Sequence, residues 1–252
     1  MSREVSGKII VITGAATGLG HGMADNFLQK GAKTVIVLDI NEKKGQEAVS
    51  SFNKKYGNNR AVFIKCNVCT DLEEVFDKIV KDYSDVDCLI NNAGIFDENN
   101  LEGTIGVNVT ALIKWSMKFY DYMRIDRGGK GGTIINVSSI YGYRIMPYIP
   151  FYHASKYAVI GFSKSLGHEM NFKRSGVCIA TLCPGLTFSS MTSEPRVKEK
   201  DMEEEFLTHL QKDYEWQYPE AIGKGTVEIY EKAESGSVWL VEGSRPAEKI
   251  NV

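Results

Sequence analysis

The stretch Lys8-Ile9-Ile10-Val11-Ile12-Thr13-Gly14-Ala15-Ala16-Thr17-Gly18-Leu19-Gly20 decides the fold. Its first six residues form an apolar, β-branched run of strand length, and the next seven carry three glycines into a helix-patterned segment. A strand that turns on glycine into a helix opens a βα unit. The glycines let a ligand approach the backbone, and the helix N-terminus faces its phosphates. The spacing is Gly-x-x-x-Gly-x-Gly, unlike the commoner Gly-x-Gly-x-x-Gly, and taken alone it would equally suit an ordinary strand-to-helix turn.

Outward from this turn, short apolar runs recur between longer helical patterns: Thr34–Asp39, Ala61–Cys66, Val86–Asn91, Thr133–Ser138, Val177–Cys183 and Ser237–Val241. With Lys8–Thr13 they predict a seven-stranded parallel, doubly wound sheet of Rossmann type with helices on both faces, an α/β fold. Helix signals fill the gaps, such as a capping box at Thr70-Asp71-Leu72-Glu73 and a stop at Gly31 after Gln29-Lys30. No linker, low-complexity tract or repeat divides the 252 residues, which predicts one domain, 1–252.

The charge is nearly balanced, 32 acidic against 30 basic residues, with no long block of either sign, so nothing points to nucleic acid or an anionic membrane. Small, roughly neutral ligands fit better. Four of the five cysteines (Cys66, Cys88, Cys178, Cys183) lie in apolar runs, as reduced core thiols do, and Cys66-x-x-Cys69 lacks the second pair or nearby histidine of a zinc site. No metal is expected. The polar start and the absence of a membrane-length apolar run predict a cytosolic protein.

Asp39 closes the second strand 19 positions after Gly20, where an acidic side chain can accept hydrogen bonds from the adenosine ribose. It could also cap the following helix, a role open to Asn41 and Glu42. Ala15, Ala16, Thr17 and Ile40 offer no cation to a 2′-phosphate, which favours NAD over NADP. The fifth strand of the set runs into Ser139, and 13 residues later comes Tyr152-His153-Ala154-Ser155-Lys156. Four residues apart on a helix, Lys156 shares a face with Tyr152. A free tyrosine has a pKa of about 10, so bringing it to working pH requires roughly 3–4 kcal/mol of preferential phenolate stabilisation. His153 points about 100° away from Tyr152 on such a helix. His21, His168 and His209 share no ligand spacing and read as surface residues, and Gly128–Gly132 reads as a connecting turn.

The set Thr13–Gly20, Asn91-Asn92-Ala93-Gly94, Asn108, Ser139, Tyr152 with Lys156, and Pro184-Gly185 resembles, in order and spacing, the short-chain dehydrogenase/reductase family, over roughly Lys8 to Val241. Asp39 and the ending Ser237-Val238-Trp239-Leu240-Val241-Glu242-Gly243 look most like the insect-type alcohol dehydrogenases, with the 15-hydroxyprostaglandin dehydrogenases as close relatives. The resemblance implies an NAD-dependent oxidoreductase. Tyr152 would be the acid/base, Lys156 would lower its pKa and hold the nicotinamide ribose, and Ser139 would orient the substrate oxygen. Asn108 would hold a water leading protons to solvent. The cofactor would be held by Gly14, Thr17, Gly18, Leu19, Gly20, Asp39 and Ile40, with Asn67 and Val68 at the adenine. Asn92, Ala93 and Gly94 would flank the adenosine, and Pro184, Gly185, Leu186 and Thr187 the nicotinamide carboxamide. Asn67 is a departure, because family members usually carry aspartate there.

Two helical segments, Val107–Met123 and Tyr152–Met170, are apolar around nearly their whole circumference and call for burial by a second copy, a homodimer with a tetramer as the alternative. The charged excursion at about 187–218, interrupted by Pro195, carries Met202, Phe206, Leu210 and Tyr214 at helical spacing. This stripe either fastens a helix to the core or closes a lid over an apolar alcohol or carbonyl substrate. The loop after Ser139 adds Tyr141, Tyr143, Ile145, Met146, Tyr148 and Phe151, with Arg144 its one cation. Three rival readings are a larger-substrate hydroxyprostaglandin- or steroid-type dehydrogenase, a dinucleotide sensor without turnover, and a storage protein on the same fold.

Overall fold

The computed structural model describes residues 3–193 and 196–252. Eight strands form one sheet: β1 Ile9–Thr13, β2 Thr34–Asp39, β3 Ala61–Lys65, β4 Cys88–Asn91, β5 Gly132–Val137, β6 Val177–Pro184, β7 Val238–Val241 and β8 Glu248–Ile250. Their order is β3-β2-β1-β4-β5-β6-β7-β8, parallel throughout except for β8, which pairs antiparallel with β7. All seven expected strands are present, and β8 is an addition. It is short and mostly exposed, so it shows no apolar pattern, and it covers the hydrogen-bonding edge of β7.

The helices are α1 Gly18–Gln29, α2 Glu42–Tyr56, α3 Leu72–Asp82, α4 Leu101–Ile105, α5 Leu112–Met123, α6 Pro150–Leu166, α7 Glu169–Ser175, α8 Ser190–Ser193, α9 Glu203–Asp213 and α10 Pro219–Lys232. Because the strands are buried on both faces, alternate residues feed two cores. Ile10, Ile12, Val35 and Val37 meet Phe27 of α1, Phe52 of α2 and Ile229 of α10. Val11, Ile36, Leu38 and Leu89 meet Ile79 of α3 and Trp115 and Phe119 of α5. The chain turns back between β1 and β4, where the strand order reverses, and the C-terminal ends of these two strands open the crevice in which doubly wound sheets bind ligands.

Helix ends depart from expectation in identifiable ways. Gly31 ends α1 as read, at φ 92°, with Gly31 and Ala32 donating back to Leu28 and Phe27. The capping box at Thr70 does not form. The N-cap is Asp71, whose carboxylate instead accepts from Asn67 N at 2.8 Å and Thr70 Oγ1 at 2.6 Å. The segment read as Tyr152–Met170 begins at Pro150 and ends at Leu166, and Met170 belongs to α7, which His168 caps through Nδ1. Between α4 and α5 the chain makes a π-helical turn, Gly106–Ala111, around Asn108. Such turns tend to occur at functional sites, and no local sequence pattern announces this one.

The cysteines are free; Cys66, Cys88, Cys178 and Cys183 are buried and Cys69 is exposed. Among the described residues there is no cluster able to hold a metal ion, and no helix is long and apolar enough to cross a membrane. His21 is half-buried rather than fully exposed; its ring lies against Phe52, tilted, at 4.5 Å between centroids, and burial lowers its pKa. Pro195 lies outside the described residues.

Candidate active site

The tips of β1 and β4 are stapled together. Thr13 Oγ1 accepts from the backbone N–H groups of Asn92 and Ala93, both at 3.0 Å, and Asn92 Nδ2 donates to Thr13 O and Gly14 O, both at 2.9 Å. Side chains would not fit inside this staple. Gly14 has φ 64° and a Cβ there would lie 2.9 Å from Ala93 Cα, while a Cβ on Gly20 would lie 2.4 Å from Gly14 O. Thr17, the N-cap of α1, makes no side-chain capping bond, so the first N–H groups of α1 remain for an anionic ligand. Asn41 caps α2 by accepting from Lys44 N, which frees Asp39 from that role. The Asp39 carboxylate accepts from Ala16 N at 3.0 Å and Asn41 N at 2.9 Å, and this ties the end of β2 to the glycine turn. A bare backbone cradle, uncapped helix N–H groups and a fixed carboxylate suit an extended dinucleotide.

A cleft of about 280 Å³ runs from this cradle to Ser139, Tyr152 and Lys156. Lys156 is buried; its Nζ donates to Val137 O at 3.1 Å and lies 5.4 Å from the centre of the Tyr152 ring. Burial brings the Lys156 ammonium down to about 8. Burial likewise pushes the Tyr152 phenol up to about 12, against an opposing pull from the Ser139 hydroxyl. Low dielectric disfavours both charges, so the phenol at rest keeps its proton. Asn108, wholly buried in the π turn, receives Ile95 N on Oδ1 at 2.8 Å and donates from Nδ2 to Ile95 O at 2.9 Å and Ser155 Oγ at 3.1 Å.

The far wall is apolar. Phe96, Tyr141, Ile149, Leu186, Phe206 and Leu210 line it, and most of them belong to one core cluster that also takes in Tyr214 and Trp216. Of the Met202-to-Tyr214 stripe, Phe206 and Leu210 pack into that cluster, which fastens α9 to the core, and both also line the cleft. Of the loop after Ser139, Tyr141 lines the cleft, Met146 packs beneath it and Ile145 is exposed. Arg144 is held by Glu242 in a bidentate pair at 2.7 and 3.0 Å and is not among the lining residues. His153 is structural here, accepting Met146 N on Nε2 at 2.6 Å. His209 packs between Tyr148 and Tyr214. Gly128–Gly131 connects the preceding helical turn to β5, with Gly128 and Gly131 at positive φ, and Gly132 opens that strand.

Of the residues singled out from sequence, Gly14, Thr17, Gly18, Leu19, Asp39, Asn92, Ala93, Gly94, Ser139, Tyr152, Lys156 and Pro184–Thr187 line the cleft. Gly20, Ile40, Asn67, Val68 and Asn108 do not. Gly20 is buried under the turn, and Asn108 acts behind the wall. Asn67 follows β3 at the Asp39 end, where its Oδ1 accepts from Cys69 N, and Val68 O accepts from Trp115 Nε1. Phe96, Val137, Ser138, Ile149 and Ser189–Thr192 also line the cleft and were not singled out. Val137 and Ser138 look like an ordinary strand end in sequence, and Phe96, Ile149 and Ser189–Thr192 reach the cleft only through the crossovers after β4, β5 and β6.

Comparison with known proteins agrees with this geometry. The family model for short chain dehydrogenase matches residues 8–200. Human 15-hydroxyprostaglandin dehydrogenase [NAD(+)] is 33% identical over 96% of this chain and 93% of its own. Alcohol dehydrogenase 1 of Ceratitis cosyra is 28% identical over 94% and 92%, respectively. The 3-ketoacyl-(acyl-carrier-protein) reductase of Brucella melitensis, solved in complex with NADH, superposes with a TM-score of 0.80 at 22% identity, covering 95% of this chain and 98% of that one. Fold, cleft and family match together place the chain in the short-chain dehydrogenase family.

Proposed function

We propose that this protein is an NAD-dependent dehydrogenase interconverting an uncharged, apolar alcohol, secondary or of medium chain length, and its carbonyl. The observation that carries the reading is the cleft itself: Ser139, Tyr152 and Lys156 meet a wall of Phe96, Tyr141, Ile149, Leu186, Phe206 and Leu210, and Lys156 is the one basic residue among the described lining residues. NAD supplies the redox chemistry when bound, exchanging a hydride with the substrate carbon. In this reading Tyr152 passes the proton to and from the substrate oxygen, and Ser139 holds that oxygen and its developing charge. Lys156 offsets the phenolate and holds the ribose. Asn108, its side chain committed to Ile95 and Ser155, would hold a relay water through its backbone.

NAD is preferred to NADP because Asp39 faces the cleft and Lys65, beside it on β3, is paired with Glu42 at 3.1 Å. The names of the mammalian relatives specify NAD(+), although L-sorbose reductase of the same fold was solved with NADPH. The excursion at about 187–218 acts as a lid whose Phe206 and Leu210 exclude water. The enzyme works as a homodimer through the outward faces of α5 and α6, where Met117 and Tyr157 are exposed. A monomeric mass by analytical ultracentrifugation at micromolar concentration would contradict the dimer.

A second reading, a hydroxyprostaglandin- or steroid-type dehydrogenase for larger secondary alcohols, is favoured by the 33% identity to human 15-hydroxyprostaglandin dehydrogenase. The test is absorbance at 340 nm with NAD across linear secondary alcohols of three to six carbons and matching hydroxy acids. Each buried methylene contributes about 0.8 kcal/mol, so kcat/KM should rise about tenfold over two or three carbons, with neutral alcohols ahead of acids. A flat series, or acids ahead, would overturn the apolar, uncharged substrate.

A further inference from the structure

The helix that carries Tyr152 starts without a cap of its own. Its N-cap is Ile149, which has no side-chain acceptor, and its first residue is Pro150, which has no N–H. The first donors needing partners are therefore the N–H groups of Phe151 and Tyr152. One carboxylate takes both, from 53 and 54 positions upstream: Glu98 Oε2 accepts from Phe151 N at 2.9 Å, and Oε1 from Tyr152 N at 2.7 Å. Glu98 is completely buried, and burial raises its pKa although the two N–H donors hold it down.

Helix stability alone does not call for this arrangement, because a serine or aspartate at the N-cap would satisfy a donor locally without burying a distant carboxylate. What the distant carboxylate adds is a fixed relation between α6 and the segment after β4. Two further contacts of Tyr152, at its carbonyl and its ring, lead to that same segment. Its carbonyl accepts from Ser155 Oγ at 2.7 Å, and Ser155 is in turn held by Asn108, which clasps Ile95. Its ring packs on Phe96 at 5.3 Å between centroids. Ile95, Phe96 and Glu98 thus reach Tyr152 at carbonyl, ring and N–H. The segment is braced from the other side as well. Glu98 N donates to Arg196 O at 2.9 Å, Asp97 pairs with Arg196 at 3.0 Å and Asn99 Nδ2 donates to Val197 O at 3.3 Å.

We infer that Glu98 is a positioning residue for the reaction: its carboxylate fixes the first turn of α6, and with it the Tyr152 phenol, relative to the cleft and to the base of the excursion over it. The inference rests on the proposed dehydrogenase activity. Misplacement of a reacting group by about 1 Å can cost on the order of a hundredfold in rate. For Glu98→Ala in the full-length protein, kcat per NAD-binding site should fall about tenfold to a hundredfold with NAD affinity within about twofold of wild type. The primary deuterium isotope effect on kcat, measured with alcohol deuterated at the carbinol carbon, should rise as hydride transfer becomes limiting. Glu98→Gln keeps the reach and one acceptor oxygen, so it should recover kcat to within about fivefold of wild type. If Glu98→Ala does not fold, Glu98→Asp, with the charge but one methylene less, carries the same expectation. A purely structural role would lower the melting temperature and the active fraction while leaving kcat per site and the isotope effect at wild-type values. That result in the Ala or Asp variant overturns the inference and leaves the activity standing. No turnover by the wild-type protein with any alcohol overturns the activity and the inference together.

Discussion

At the glycine-turn end the cleft is lined by backbone at Gly14 and Gly94, with Gly20 beneath, and the strand tips are held by hydrogen bonds from Asn92. At the other end the wall is side chain, with Phe96, Tyr141, Ile149, Phe206 and Leu210 drawn from three separate crossovers. The backbone wall has no room for a Cβ at Gly14 or Gly20, and in the proposed function it is the part that meets the dinucleotide. The side-chain wall is assembled from separate crossovers, and in the proposed function it is the part that meets the alcohol. Ser139, Tyr152 and Lys156 stand where the two meet.

The largest effect is expected at that junction. Tyr152→Phe removes only the transferable proton, so turnover should fall by about 10²–10⁴ with NAD binding retained, as followed at 340 nm and by equilibrium titration. Near-normal turnover would remove Tyr152 from the mechanism and leave the two walls without a shared centre.

The junction should also cost stability. Lys156 titrates at about 8 in the folded protein, below the roughly 10.4 of a free lysine. Between these values the unfolded chain binds more protons, so wild-type stability should rise with pH through this window. Lys156→Met removes the buried charge. At pH 7 the apo-variant should be more stable by roughly 1–3 kcal/mol, after allowing for the lost hydrogen bond to Val137, and the gap should close as pH approaches about 10. Urea unfolding at several pH values measures this, and a less stable variant at pH 7 would mean that the ammonium is well solvated where it sits.

A smaller effect belongs to the backbone wall alone. Asp39→Ala with Ile40→Arg removes the repelling carboxylate and adds a phosphate partner, so the NADP-to-NAD ratio of kcat/KM should rise about tenfold or more with substrate preference unchanged. A wild-type protein already favouring NADP would show that Asp39 has been misread. A change in alcohol preference would show that the two walls are not independent.

The seven parallel strands, the glycine turn, Asp39 and the Tyr152–Lys156 spacing were legible in the sequence because each is a local pattern with a period or a fixed offset. Strand β8, the π turn at Asn108 and the displaced cap at Asp71 were not, since each depends on a partner rather than on its own residues. The Asn67, Val68 and Ile40 positions were legible only by resemblance, and they lie off the wall of the cleft. The tertiary structure alone decided that Arg144 is paired with Glu242, that Phe206 and Leu210 of the excursion both pack into the core cluster and face the cleft, and that Glu98 caps the helix of Tyr152. The physical reason is the same in each case. Periodicity and spacing say which face a residue shares with its neighbours in the chain, but a charge or an apolar surface is satisfied by whatever the fold brings against it.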